Sequence, residues 1–352
     1  MTRQQQIGIL GGGQLAMMLA EAASALQLRT KVLAPDANCP AATTADFLVQ
    51  DDYENLESLR DFAQNCDVIT FEFENVPVRS LFAMQNAGIP VAPGPKVLAI
   101  VQDRLTEKQF LLNNQIPLAK FARIDKASDL PDAIKTIGFP CVLKTRHFGY
   151  DGKGQTWIRS EGQAEPAFDL IHHHPAVLEA AIPFVREISV IAARSADGSF
   201  VAFPVTENQH KDGILRRSFV PATCQDYICE NAKTITRKIA NNLNYVGVLA
   251  VEFFETENGK LLVNEIAPRV HNSGHWTRGG ASPDQFEMHL RAILGMELPQ
   301  PKYAPQAIMQ NLIGADIAKA ETMQKDGWDI CDYGKSGNKE GRKMGHAVKV
   351  VN

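Results

Sequence analysis

The stretch Val248-Leu249-Ala250-Val251-Glu252-Phe253-Phe254-Glu255-Thr256-Glu257-Asn258-Gly259-Lys260-Leu261-Leu262-Val263-Asn264-Glu265-Ile266 reads as two strands on either side of Asn258-Gly259. Asn-Gly is the strongest short-range hairpin signal, because both central positions of a type I′ turn need φ > 0. A two-residue loop pairs Glu257 with Lys260, and counting back sets Glu252 opposite Glu265. Like charges directly opposed on a sheet repel. At ~5 Å and an effective dielectric of ~20 the repulsion is roughly 3 kcal/mol. A proton or a cation between the carboxylates relieves it. Hard divalent ions such as Mg²⁺ take carboxylate oxygens together with substrate phosphates, so the pair points to a Mg²⁺-nucleotide site. A longer loop would instead leave one glutamate in water, and the spacing alone does not choose between the two.

Outward from the hairpin, the whole chain has 352 residues, enough for two or three domains. Apolar content of 45% and charged content of 22% are ordinary for a globular enzyme. The net charge of −4, without a long basic run, argues against nucleic acid as a partner. No apolar run approaches the ~18 residues of a membrane span. Met1-Thr2-Arg3-Gln4-Gln5-Gln6 leads straight into a strand without an apolar signal region, so the expected location is cytoplasmic. The six cysteines show no zinc spacing and are expected to be free thiols.

Residues 1–102 alternate strand and helix. Ile7–Leu10, Lys31–Ala34 and Val68–Phe73 read as strands, while Gln14–Leu26, Leu56–Gln64 and Val78–Ala87 read as helices. This pattern predicts a parallel, doubly wound sheet, ended by Pro93-Gly94-Pro95. A central unit is expected over 103–178 and a mainly antiparallel one over 179–352. The fold class is therefore α/β followed by α+β.

Three loops carry chemistry. Gly11-Gly12-Gly13-Gln14-Leu15-Ala16 lies between a strand and a helix, a context in which backbone N–H groups hold anions. It also fits a G-x-G-x-x-A dinucleotide pattern, with Asp36 near the position of a ribose-binding acid. Phe148-Gly149-Tyr150-Asp151-Gly152-Lys153-Gly154-Gln155 reads as a flap able to close over phosphates, with Lys144 on the preceding strand. An exposed hairpin loop with a solvated lysine is its plainer alternative. Asn264-Glu265-Ile266-Ala267-Pro268-Arg269-Val270-His271-Asn272-Ser273-Gly274-His275-Trp276 crowds a carboxylate, a guanidinium, two imidazoles, amides and a hydroxyl after a strand. That density suggests a catalytic loop. Arg269 suits a planar oxyanion, whereas each histidine alone is expected to make a structural hydrogen bond.

The lysine strand, the Gly-Tyr-Asp-Gly-x-Gly-Gln flap, the two carboxylates and Asn264–Arg269 resemble the ATP-grasp superfamily. Six further motifs narrow the resemblance: Gly11–Leu15, Phe71–Val76, Asp103–Lys108, Asp212–Arg216, Ala267–Trp276 and Gly341–His346. In this order they resemble the N5-carboxyaminoimidazole ribonucleotide synthetase family of purine biosynthesis. The likeness spans nearly the whole chain, and its one departure is a final element shorter than in most relatives. It implies an ATP-grasp fold, with a pre-ATP-grasp domain, a central lid and a C-terminal catalytic domain. The implied reaction converts 5-aminoimidazole ribonucleotide, bicarbonate and ATP to the N5-carboxylated nucleotide, ADP and phosphate through carboxyphosphate.

The resemblance also implies roles. Glu252 and Glu265 would hold Mg²⁺. Lys144 and Arg104 would meet phosphate oxygens under the flap of Gly149, Tyr150, Asp151, Gly152, Lys153, Gly154 and Gln155. Glu179-Ala180-Ala181-Ile182 would offer backbone partners to adenine, Glu187 would accept from ribose, and His210 would lie near the triphosphate; Glu179 and Glu187 could equally be surface charges. Arg269 would anchor bicarbonate or carboxyphosphate, with Asn264 nearby. Gln14, Leu15 and Glu74, with Tyr150 and Asp151, would meet the ribonucleotide. Lys335, Arg342 and Lys343 would bind its phosphate, unless they are a solvated basic tail. Arg269, Asp151 and Lys343 are the expected catalytic residues, and a homodimer is the expected assembly. The rivals are a nucleotide sensor, a formate-dependent glycinamide ribonucleotide transformylase and an NAD-dependent dehydrogenase.

Overall fold

The computed structural model describes residues 3–149, 153–337 and 339–351. Its first sheet has four parallel strands in the order Phe47–Gln50, Arg29–Ala34, Gln6–Leu10, Val68–Phe71. Ile7, Ile9 and Leu10 are fully buried, as expected for a strand covered on both faces. The helices Gln14–Ala25, Leu56–Ala63 and Val78–Asn86 fall where the periodicity predicts. The strand Val68–Phe71 ends sooner than expected. Glu72 and Glu74 therefore sit beyond it in an irregular turn, and Thr70 bonds His289 at 2.9 Å in the interior.

The second sheet is antiparallel, in the order Phe121–Ile124, Ala176–Ala180, Cys141–Thr145, Gln155–Ile158. Its core is separate, built from Ile124, Leu143, Ile158, Phe168 and Leu178 among others. The expected division after residue 178 cuts a strand, because Glu179 and Ala180 still pair with Val142 and Cys141.

The third sheet holds nine strands, starting from the hairpin edge Leu261–Ala267 and Gly247–Thr256 and running through Phe184–Arg194. The helix Asp226–Asn242 covers it, burying Ile228, Ala232, Ile235 and Ile239. Lys343–Val351 pairs inside this sheet with Gln306–Ile313 and Asp329–Asp332, so the C-terminal segment is a structural strand and not a tail. One core joins this sheet to the first domain through the helices Gln14–Ala25 and Gln285–Ile293. Cys224 and Cys229 form a disulfide at the start of the long helix, which corrects the free-thiol expectation for these two. No helix among the described residues is long and apolar enough to cross a membrane.

Candidate functional site

The hairpin does set Glu252 opposite Glu265, although the turn differs from the expected one. Thr256 N–H donates to the Lys260 carbonyl at 3.0 Å, and Gly259 N–H to the Thr256 carbonyl at 2.9 Å. Only Gly259 (φ +73°) has a positive φ, so the loop is Glu257-Asn258-Gly259 and not a type I′ pair. That loop shifts the register by one residue. A bulge at Asn264 then shifts it back, since Phe253 faces Val263 while Glu252 faces Glu265.

The edge of the hairpin is capped by the helix Arg104–Asn113 and the segment after it. Glu107 accepts Ile266 N–H at 2.6 Å, and Val263 N–H donates to the Pro117 carbonyl. The first turn of this helix also reaches the second sheet. Its N-cap, Asp103, holds Arg146 through two oxygens, and Lys108 lies 3.1 Å from Glu179. Arg104 Nη1 lies 3.4 Å from Glu265 Oε2. These contacts join the floor of a cleft to its lid.

The cleft measures about 1020 Å³ and lies among the three sheets. Glu252, Asn264, Glu265 and Arg269 line its floor, while Lys144, Gly149, Lys153 and Gln155 line the lid side. Ala180, Ala181, Ile182, Glu187 and His210 line one end, and Gln14, Leu15, Glu74, Lys335, Arg342 and Lys343 the other. The basic residues near the C-terminus thus form a cleft wall. Lys335 donates to Gln14 Oε1 at 2.7 Å, and Arg342 to the Ser336 carbonyl at 3.0 Å. Tyr150, Asp151 and Gly152 lie outside the described residues. Gly154 is not on the cleft; its carbonyl accepts Thr145 N–H at 2.8 Å and closes the hairpin beneath the flap.

Several expected roles change. Glu179 is no surface charge: it is 4% exposed and clamped between Lys108 and Lys144, each at 3.1 Å. Burial pushes its pKa up, yet Lys108, Lys144 and Arg104 outweigh burial and hold it down at about 2. Ala180 and Ala181 N–H groups already donate to the Lys120 and Pro140 carbonyls, whereas Ile182 N–H has no backbone partner among the described residues. Glu187 is paired with His210 at 2.6 Å. The anion seat at Gly13 is filled from within, because Glu72 Oε1 accepts Gly13 N–H at 2.9 Å. A Cβ on Gly13 would lie 2.6 Å from that oxygen, so glycine is what lets the carboxylate approach.

Burial, then the charge of Glu265, pushes Glu252 up to about 7. Burial acts on Glu265 in the same direction, but Arg104, Lys144 and Arg269 prevail and hold it low. Burial also raises Glu107 to about 7. Among the described residues no group of three potential metal-ligating side chains occurs. Arg269 pairs with Glu74 at 2.7 Å. Burial, reinforced by Arg269, keeps His271 neutral, its Nε2 lying 3.6 Å from Glu252. Burial does the same for His275. Glu72, Glu107 and Lys108 were absent from the sequence-based site. The last two lie three and four residues from Arg104 on one helix, a spacing that places them on its face.

Three family models match the chain: a ribonucleotide synthetase preATP-grasp domain over residues 4–102, an ATP-grasp domain over 109–286, and a phosphoribosylaminoimidazole carboxylase C-terminal domain over 307–352. An N5-carboxyaminoimidazole ribonucleotide synthase of Brucella melitensis is 44% identical over 98% of this chain and 96% of its own. The Staphylococcus aureus N5-carboxyaminoimidazole synthetase complexed with ADP superposes with a TM-score of 0.94 at 36% identity, covering 99% of this chain and 93% of that one. The Aspergillus clavatus enzyme in complex with ADP and 5-aminoimidazole ribonucleotide gives 0.93 at 30% identity, covering 100% and 95%.

Proposed function

Because the chain belongs to the N5-carboxyaminoimidazole ribonucleotide synthase family of ATP-grasp enzymes, we propose that its facing carboxylates, Glu252 and Glu265, hold Mg²⁺ against the phosphates of ATP. The chain is an ATP-dependent carbon–nitrogen ligase of purine biosynthesis. It joins bicarbonate to 5-aminoimidazole ribonucleotide and releases ADP and phosphate. The single observation that carries the site reading is the opposition of these two carboxylates on the cleft floor, with Glu252 raised by burial and by its neighbour. A divalent cation fits this donor set, with phosphate oxygens completing its shell. When bound, Mg²⁺ would neutralise charge on the phosphates.

Bicarbonate is a poor electrophile. Attack of its oxygen on the γ-phosphorus releases ADP and yields carboxyphosphate, whose carbon bears a good leaving group. The exocyclic amine then forms the C–N bond as phosphate departs. Phosphoryl transfer of this kind depends on positioning and charge. Lys144 and Arg104 meet phosphate oxygens, and the flap Gly149–Gln155 covers them. Adenine lies along Glu179–Ile182, with Ile182 N–H as the available donor; Glu187 accepts from ribose and His210 sits near the triphosphate. Arg269 anchors bicarbonate and carboxyphosphate beside Asn264. The ribonucleotide lies by Gln14, Leu15 and Glu74. Lys335, Arg342 and Lys343 take its 5′-phosphate. A cytoplasmic homodimer is part of the same reading, on the strength of the resemblance.

ADP release tests this reading, with bicarbonate and 5-aminoimidazole ribonucleotide omitted in turn. Full release should need both. Release supported by formate in place of bicarbonate would count against it.

A further inference from the structure

His271 caps the short turn Asn272–Gly274, and its Nδ1 accepts Ser273 N–H at 3.3 Å. Ser273 Oγ lies 2.9 Å from the same nitrogen. A ring nitrogen that accepts a backbone N–H carries no proton, so in the neutral imidazole the proton is on Nε2. The Ser273 hydroxyl must then donate to Nδ1, and its oxygen must accept from Ser189 Oγ, 2.8 Å away. Ser189 Oγ in turn accepts from Asn208 Nδ2 at 2.9 Å, and Asn208 Oδ1 accepts from Ser218 Oγ at 2.8 Å.

These groups stand on three adjacent strands, Ile214–Val220, Thr206–Lys211 and Phe184–Arg194. Asn208 and Ser218 are register partners. All four side chains of the chain are buried, where hydrogen bonds are electrostatically stronger than in water. The hydrogen bonds run one way, from the middle of the large sheet to the catalytic loop.

We propose that Ser273, backed by Ser189 and Asn208, is a positioning residue that locks His271 as its Nε2–H tautomer. The lock presents a fixed donor to the cleft, 3.6 Å from Glu252. Its ligand is an oxyanion: a carboxylate oxygen of Glu252, or an oxygen of bicarbonate or carboxyphosphate. His271 is therefore a donor to developing negative charge and not a base for the attacking amine. This choice of ligand rests on the carboxylation reading; the tautomer does not.

The test uses the full chain labelled with ¹⁵N-histidine, first without any ligand. Long-range proton–nitrogen spectra identify the protonated ring nitrogen, and His271 is assigned by the signal lost in His271→Gln. Nε2 protonated and Nδ1 bare is the expected result, and it stands whether or not the chain carboxylates. Nδ1 protonated overturns the proposal. In Ser273→Ala only the longer 3.3 Å contact from the backbone N–H remains on Nδ1, so the ring signals should move towards a mixture of tautomers. The kcat for ADP release with both co-substrates should fall about tenfold while KM for ATP holds. Unchanged tautomer and kcat in that variant overturn the positioning role. Ser189→Ala, one link further back, should move both readouts in the same direction by less, and it serves if Ser273→Ala fails to fold.

Discussion

Glu252 faces Glu265 because two irregularities cancel: the loop at Gly259 displaces the strands by one residue and the bulge at Asn264 restores them. The bulge also leaves Asn264 unopposed and on the cleft floor beside Glu265, with its Oδ1 buried and without a partner among the described residues. An extra residue next to a site commonly re-aims a side chain in this way.

Opposed carboxylates that bind a cation are a liability without it. Glu252→Gln should therefore raise the melting temperature of the metal-free protein at neutral pH while cutting Mg-ATP turnover by about 100-fold or more. Glu265→Gln should abolish turnover with the fold intact. Circular dichroism melts and ADP release check both. A lower melting temperature for Glu252→Gln would show that no repulsion is being relieved.

The pH dependence follows from the same carboxylate. Glu252 titrates at about 7 in the folded protein against an ordinary 4.5, so the folded state keeps a proton that the unfolded state has lost. Glu107 behaves alike. Stability contributed by these groups is thus present at low pH and falls as pH rises through that window. Mg²⁺ needs the ionised form, so the thermal shift given by Mg-ADP should be larger at about pH 8 than at about pH 6. Equal shifts would remove Glu252 from the metal site.

Glu179 neutralises two lysines at once, one of them 1% exposed. Glu179→Ala strands both ammonium groups and should cost about 3–5 kcal/mol in urea unfolding. A loss below about 1 kcal/mol would mean that the lysines find other partners.

The two ends of the cleft separate kinetically. Lys144→Ala should raise KM for ATP more than KM for 5-aminoimidazole ribonucleotide, and Arg342→Ala should do the reverse. Both come from initial rates with one substrate saturating. An unchanged ribonucleotide KM in Arg342→Ala would move its phosphate elsewhere.

Three strands of the parallel sheet were legible as short apolar runs and its helices by their periodicity, whereas the half-exposed edge strand Phe47–Gln50 carries no such signal and was not expected. The facing glutamates were legible for a partly mistaken reason: Asn-Gly suggested the commoner turn, and nothing in Val263-Asn264-Glu265 announces a bulge. The helix Asp226–Asn242 has a signal in the sequence, since Ile228, Ala232, Ile235 and Ile239 keep helical spacing. What the chain could not display is pairing across long separations. Glu72 at the mouth of the glycine turn, Glu107 on the edge of the hairpin and Lys108 beside Glu179 lie 59, 159 and 71 positions from their partners. Cys224 and Cys229, only five apart, were missed because free thiols are the usual state for a chain of this type.

The start of one helix, from its N-cap Asp103 to Lys108, grips the roof of the cleft through Arg146 and Glu179 and its foundation through Ile266 and Glu265. Roof and foundation are therefore registered against each other by a single short splice. A chimaera that borrows the roof from a relative has to import these six residues with it, or the borrowed part will hang at the wrong height above Glu252 and Glu265.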